Sequence, residues 1–203
     1  MESLMHLSRR HFMEAGIGAS FAGTVGACTS FPALANGPHM PRWHKGYQSA
    51  PANGFEPAPM QLVFGKAPND LKGSLYRNGP GQLQYAEKHL SHWFDGDGLI
   101  HRIAIDDGQA VHQARFVDTK KRREEQAAQD FLAAGFGTIG DERFSIEGPD
   151  DVNAANTSVL VVDGELLALW EAGSGFAMDA ETLETKGPKT WREDLKGMPF
   201  LAH

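Results

Sequence analysis

Residue types that could do chemistry concentrate in one stretch and at two isolated positions. The stretch is His92-Trp93-Phe94-Asp95-Gly96-Asp97-Gly98-Leu99-Ile100-His101, which sets two carboxylates between two imidazoles. Asp95 and Asp97 fit the first two ligand positions of a calcium loop, but Leu99 fills the third, and that departure excludes the site. What remains on local grounds is a turn. Asp-Gly steps favour tight reversals because glycine tolerates a positive φ. The isolated positions are Glu171, directly after Leu167-Ala168-Leu169-Trp170, and His203. By type alone Glu171 is a strand-end carboxylate facing water, or one held inside by its apolar neighbours. His203 by type alone is a solvated end. Of the nine histidines, six or seven are expected on the surface or in linkers.

The elements that must position these residues are β-strands. Leu99, His101, Ile103 and Ile105 alternate with Ile100, Arg102 and Ala104, the period of a strand. That alternation puts His101 on the apolar face, as a structural histidine. Asp106-Asp107-Gly108 turns the chain, and Ala110 to Val117 returns it. Ser158 to Val162, the Asp163-Gly164 turn and Glu165 to Trp170 make a second hairpin. Gly175 to Met178 and Thr182 to Lys186 suggest a third around Asp179-Ala180-Glu181. Successive short hairpins point to stacked antiparallel sheets. Only Lys120 to Ala134, charged and then Ala/Leu-rich, reads as a helix, with Gly135 as its stop.

Upstream of the strands lie two segments of different character. Arg9-Arg10 precedes a mild Gly/Ala-rich run from Ala15 to Ala27, the pattern of a twin-arginine export signal. Ala33-Leu34-Ala35 offers the cleavage site, so residues 1–35 are expected to be a signal peptide. The protein is then expected in the periplasm, carried there by the Tat translocase. A lipoprotein box at Cys28 fits less well. Residues 36–60 carry prolines at 38, 41, 51, 57 and 59, and read as an extended strap that builds no ladder. His39 and His44 there are expected to be solvated. Residues 61–203 form the remaining domain.

The 203 residues have room for one domain, and 41% hydrophobic content suits a packed core. A formal net charge of −7 argues against a nucleic-acid partner. With Cys28 as the only cysteine there is no disulfide framework.

Six motifs in order give the chain a resemblance. Gly73-Ser74-Leu75-Tyr76-Arg77-Asn78-Gly79-Pro80-Gly81 precedes the Phe-Asp-Gly-Asp-Gly stretch. Arg115-Phe116-Val117, Asn156-Thr157, Leu167 to Glu171, Thr182-Leu183-Glu184-Thr185 and Ala202-His203 follow it. Together they resemble the N-terminal part of the carotenoid cleavage oxygenase family, from about Leu62 to His203. The resemblance implies an all-β fold: the N-terminal blades of a seven-bladed β-propeller. Members run to more than twice this length, so the chain is expected to be a truncated portion.

The chemistry implied is that of one iron(II) ion, Fe(2+), on the propeller axis, held by four histidine nitrogens with open positions for dioxygen. Ala202-His203 falls where the family's Ala-His-Pro motif supplies the first ligand, with Leu201 in place of the usual small hydroxyl residue. The spacing of Glu171 from His203 matches a family glutamate that accepts the far N–H of a ligating imidazole and makes it a better donor. The histidines near the Phe-Asp-Gly-Asp-Gly motif, His92, His101 and His112, are not ligands in this family. Asp95, Asp97, Arg77 and Asn78 are expected to be structural, the two aspartates by binding backbone N–H groups.

The expected activity of the parent protein is cleavage of a C=C double bond in a carotenoid, apocarotenoid or stilbene-type substrate. The partners implied are an apolar conjugated small molecule and O2, and contact with a membrane is left open. The chain as supplied, with one candidate ligand of four, is expected to be inactive. The rival reading is an exported, metal-free propeller that binds a partner or an apolar ligand.

Overall fold

The computed structural model describes residues 42–200 and residue 202. The expected leader, its cleavage site, Cys28, His39, Leu201 and His203 lie outside the described residues.

Two antiparallel sheets form the framework. The strands are β1 (Phe55–Pro59), β2 (Gly73–Arg77), β3 (Pro80–Gln82), β4 (Gln84–Tyr85), β5 (Lys88–His89), β6 (Asp97–Asp106) and β7 (Gln109–Phe116). A helix, α1 (Lys120–Ala128), separates these from β8 (Ser158–Val162), β9 (Glu165–Leu169), β10 (Phe176–Met178) and β11 (Thr185–Pro188). The first blade has the order β1-β7-β6-β2, with β3 also paired to β6. The second runs β11-β10-β9-β8, a meander. All three expected hairpins are present, β6–β7, β8–β9 and β10–β11. Asp107 and Asp163 adopt φ of 45° and 49° and Gly108 and Gly164 φ of 72° and 78°, the conformation a two-residue hairpin turn requires.

The blades pack face to face. Ile100 and Val117 of the first region meet Leu166, Ala168, Phe176, Met178 and Leu183 of the second, with Ala155 between them. Tyr76 Oη donates to Ala180 O at 2.7 Å, and Arg102 to Glu181 O at 3.2 Å, so the β10–β11 turn is gripped by polar groups of the same face. Asn78 Nδ2 donates to Ala155 O and Ser158 O at 2.9 and 3.0 Å and stitches the end of β2 to the start of β8.

Two expectations are corrected here. The strap does build a ladder at its C-terminal end, where β1 pairs with β7. Its prolines are tolerated because β1 is an edge strand, and its register slips between Phe55 and Ala58, across Pro57. The helix ends at Ala128, well short of Gly135. Gln129 turns left-handed at φ 51°, and Glu125 Oε1 accepts the N–H groups of Leu132 and Ala133 at 3.0 and 2.9 Å. Those donors are taken by a carboxylate instead of by the next helical turn.

Candidate active-site end of the second blade

Glu171 follows the end of the second blade where β8 begins and β9 stops. Ser158 pairs with Leu169, and Thr157 N donates to Leu169 O at 3.0 Å. Asn156-Thr157 therefore lies opposite Trp170-Glu171 by strand register. The returning chain reaches the same end. Ser158 Oγ donates to Ala202 O at 2.6 Å, and Ala202 is buried against Leu167, Leu169 and Ala177.

The loop beyond Glu171 is fixed by carboxylate and amide groups. Asp150 accepts from Ser174 N at 2.6 Å and Ser174 Oγ at 2.7 Å, and Asn153 Nδ2 donates to Ser174 O at 2.9 Å. Gly173 is needed for this approach, since a Cβ there would lie 2.5 Å from Asn153 Nδ2. Glu171 itself is exposed, so its apolar neighbours do not hold it inside, contrary to that part of the expectation. Leu167 to Leu169 are buried, but the chain leaves the strand after Leu169 and carries Glu171 out of their cover.

The Phe-Asp-Gly-Asp-Gly stretch underlies this end, and it is not a hairpin turn. His92 caps a short 3-10 helix, Trp93–Asp95, by accepting Phe94 N–H at its Nδ1, and β6 begins directly at Asp97. Gly96 is extended, at φ −72°, and neither it nor Gly98 is among the positive-φ residues. The two glycines serve close approach. A Cβ on Gly98 would sit 2.0 Å from Ala155 O, and one on Gly96 would sit 2.7 Å from Gln82 O. Asn156 Nδ2 donates to both Phe94 O and Gly96 O at 2.6 Å, which ties the stretch to the start of β8.

The two aspartates divide the work. Asp95 accepts the N–H groups of Phe136 and Gly137 and the Thr138 hydroxyl at 2.6, 2.8 and 2.7 Å, the backbone role expected of it. Asp97 departs from that expectation and pairs with Lys121 at 2.8 Å, with Arg122 at 3.5 Å. Lys121 also reaches Glu125 at 2.8 Å, and all four side chains are buried. The two carboxylates hold the Lys121 ammonium charged against its burial, while burial raises the Glu125 carboxyl.

His101 and His112 form a pair, Nδ1 to Nε2 at 2.9 Å, beside the ring of Phe55. His101 is thus the satisfied structural histidine its strand face implied. Its burial, then His112, then Arg77 lower its pKa from the ordinary value. Among the described residues no three His, Cys, Asp or Glu side chains converge as a metal site, so these residues alone do not fit an iron ion. In the sequence, Asn156 and Thr157 carry one signal, their shared motif, and Ser158 carries none as a site residue, because their partners are contributed by other segments.

Comparison with known proteins agrees with this architecture. The family model described as Retinal pigment epithelial membrane protein matches residues 49–203. The apocarotenoid-15,15'-oxygenase of Synechocystis is 36% identical over 177 residues, covering 79% of this chain and 34% of that protein. Resveratrol cleavage oxygenase 1 of Aspergillus fumigatus is 33% identical, covering 70% and 28%. The chain thus spans about a third of the length of these relatives. Among solved structures, the Synechocystis apocarotenoid oxygenase with a tryptophan changed to alanine superposes with a TM-score of 0.69 at 36% identity, covering 79% of this chain and 34% of that one. The same enzyme is also solved with the adjacent glutamate changed to glutamine, with a threonine changed to alanine, and with cobalt substituted, at TM-scores of 0.64, 0.62 and 0.59 and 34–35% identity. These three cover 72–73% of this chain and 31% of that one. The two sheets are accordingly blades of a β-propeller, and the chain belongs to the family of the retinal pigment epithelial membrane protein and the carotenoid cleavage oxygenases.

Proposed function

We propose that the complete protein is a non-haem iron(II) dioxygenase that cleaves a C=C double bond of a carotenoid, apocarotenoid or stilbene-type substrate. Both atoms of O2 end in the two carbonyl products, so the reaction needs no further reductant. The observation that carries the reading is the meeting of Thr157, Trp170-Glu171 and Ala202 at one end of the second blade. Thr157, Trp170 and Glu171 repeat the residue types and the spacing of the threonine and the adjacent tryptophan and glutamate substituted in the Synechocystis enzyme. The relatives' named substrates, an apocarotenoid and resveratrol, support a conjugated apolar molecule.

In this reading bound iron(II) supplies the activation of dioxygen. His203 offers one imidazole to it, and Ser158 fixes the carbonyl of the preceding residue. Glu171 accepts the N–H of a ligating imidazole. The leader directs export through the Tat translocase to the periplasm; replacing Arg9 and Arg10 by lysine should then retain the protein in the cytoplasm, and unchanged export refutes it.

Iron analysis and oxygen uptake on the complete protein test the enzymatic reading. His203→Ala should abolish iron retention, and normal iron content removes the ligand assignment. Glu171→Gln keeps an acceptor but loses its charge, so affinity or activity should fall roughly 10- to 100-fold. Full activity in that variant removes the role given to Glu171.

A further inference from the structure

The second blade covers one face of the first. Ile100 and Tyr76 turn toward its apolar residues, and Arg102 and Gln113 donate to Glu181 O. Strand register puts the alternate residues on the opposite face: Leu75 lies beside Ile103, Ile103 beside His112, and Arg77 beside His101. Phe55 stands against the rings of His101 and His112 on that same side. This opposite face is open. Leu75 and Phe55 are 53% and 42% exposed, Ile103 and the two histidines are half-buried, and Arg77 is exposed.

An exposed apolar sheet face marks an interaction surface, and the architecture names its occupant. The blades of a propeller stand around a central channel, so each packs between two neighbours. The far face of the second blade is already met by the chain that follows it, with Phe200 and Ala202 packed on the cluster of Leu167 and Leu169. Succession therefore runs away from the first blade, and its open face is reached only when the ring comes round. The chain covers 34% of the Synechocystis structure, which leaves the larger part of such a protein to complete that ring.

Charge narrows the chemistry of the occupant. In the register of this face the ionisable groups are Arg77, His101 and His112, with no carboxylate beside them. Covering the Arg77 guanidinium without a partner would bury an uncompensated charge, so the covering blade must bring the anion. We infer that this face is the ring-closing surface of the complete protein. It receives the last blade, formed by the end of the chain, which sets apolar side chains on Leu75 and Ile103 and a carboxylate on Arg77. The inference rests on the propeller architecture and is independent of the catalytic reading.

Two cross-links in the complete protein test it. With the photo-crosslinker p-benzoylphenylalanine in place of Leu75, irradiation should couple position 75 to a peptide of the last blade in the same molecule, mapped by mass spectrometry. Coupling to a second copy, to another blade or only within residues 42–203 overturns the inference. A carbodiimide joins an amine to a carboxylate that it touches, so Arg77→Lys should gain an isopeptide bond to an aspartate or glutamate of the last blade. This change is conservative, so the second test stands even where the bulky probe prevents folding. A folded Arg77→Lys protein that forms no such bond, or forms it elsewhere, overturns the charge pairing on which the occupant's chemistry rests.

Discussion

In the second blade four strands follow one another from β8 to β11, and Leu166, Phe176 and Met178 are buried in one apolar cluster and Leu167 and Leu169 in another. In the first blade, β1 comes from well before its neighbours in sequence, and the start of β6 rests on a charged cluster of Asp97, Lys121, Arg122 and Glu125. One blade is held by local pairing and non-directional burial. The other depends on directional contacts between residues far apart in the chain. The difference teaches where each is fragile: the second blade to lost volume, the first to lost charge.

Lys121→Met attacks the charged cluster at the start of β6 and carries the largest expected effect. The change leaves Asp97 and Glu125 buried without their shared cation, which should cost about 3–5 kcal/mol. Chemical denaturation of the variant measures it, and a loss no larger than that of an exposed lysine would erase the contrast between the blades. Leu166→Ala is the matching test of the second blade. Leu166 is fully buried between the sheets, so its truncation should destabilise by about 2–5 kcal/mol through lost contacts and the cavity left behind. The Leu166→Ala loss should be nearly salt-independent, and a pronounced dependence on ionic strength would contradict the apolar account.

A smaller effect separates the blades by pH. Burial, His112 and Arg77 hold the His101 imidazole below its ordinary 6.5 in the folded protein. As pH falls through that ordinary value the unfolded chain takes up a proton that the folded chain resists, so stability falls on the acid side. A pH series of melting midpoints should therefore slope downward below about pH 6.5, and less steeply in His101→Gln. Equal slopes in the two proteins would remove His101 as the source.

The hairpins were legible in the sequence because their causes are local. Asp163-Gly164 turns the chain whatever surrounds it, and the strands on either side alternate as strands do. The motif order was likewise enough to indicate the family. Partner choice was not legible, since spacing along the chain does not record what faces a side chain across the fold. Asp95 and Asp97 look alike in sequence. Yet one caps backbone amides of residues 136 and 137 and the other neutralises Lys121.

The same distinction governs the remaining differences. Glycines 96 and 98 have the sequence signature of a turn, but a neighbouring backbone pressed against each is what requires them. The end of α1 looked set by Gly135, and was set instead by the Glu125 carboxylate capturing two amides that would have continued the helix. Pro57 and Pro59 argued against a strand, and only the position of β1 at the edge of its sheet allowed one. By itself the sequence determined the strands, their turns and the family, because local backbone geometry and residue order suffice for those. The tertiary structure decided which charges meet, which glycines are crowded and where Glu171 emerges, because each depends on atoms contributed by distant segments.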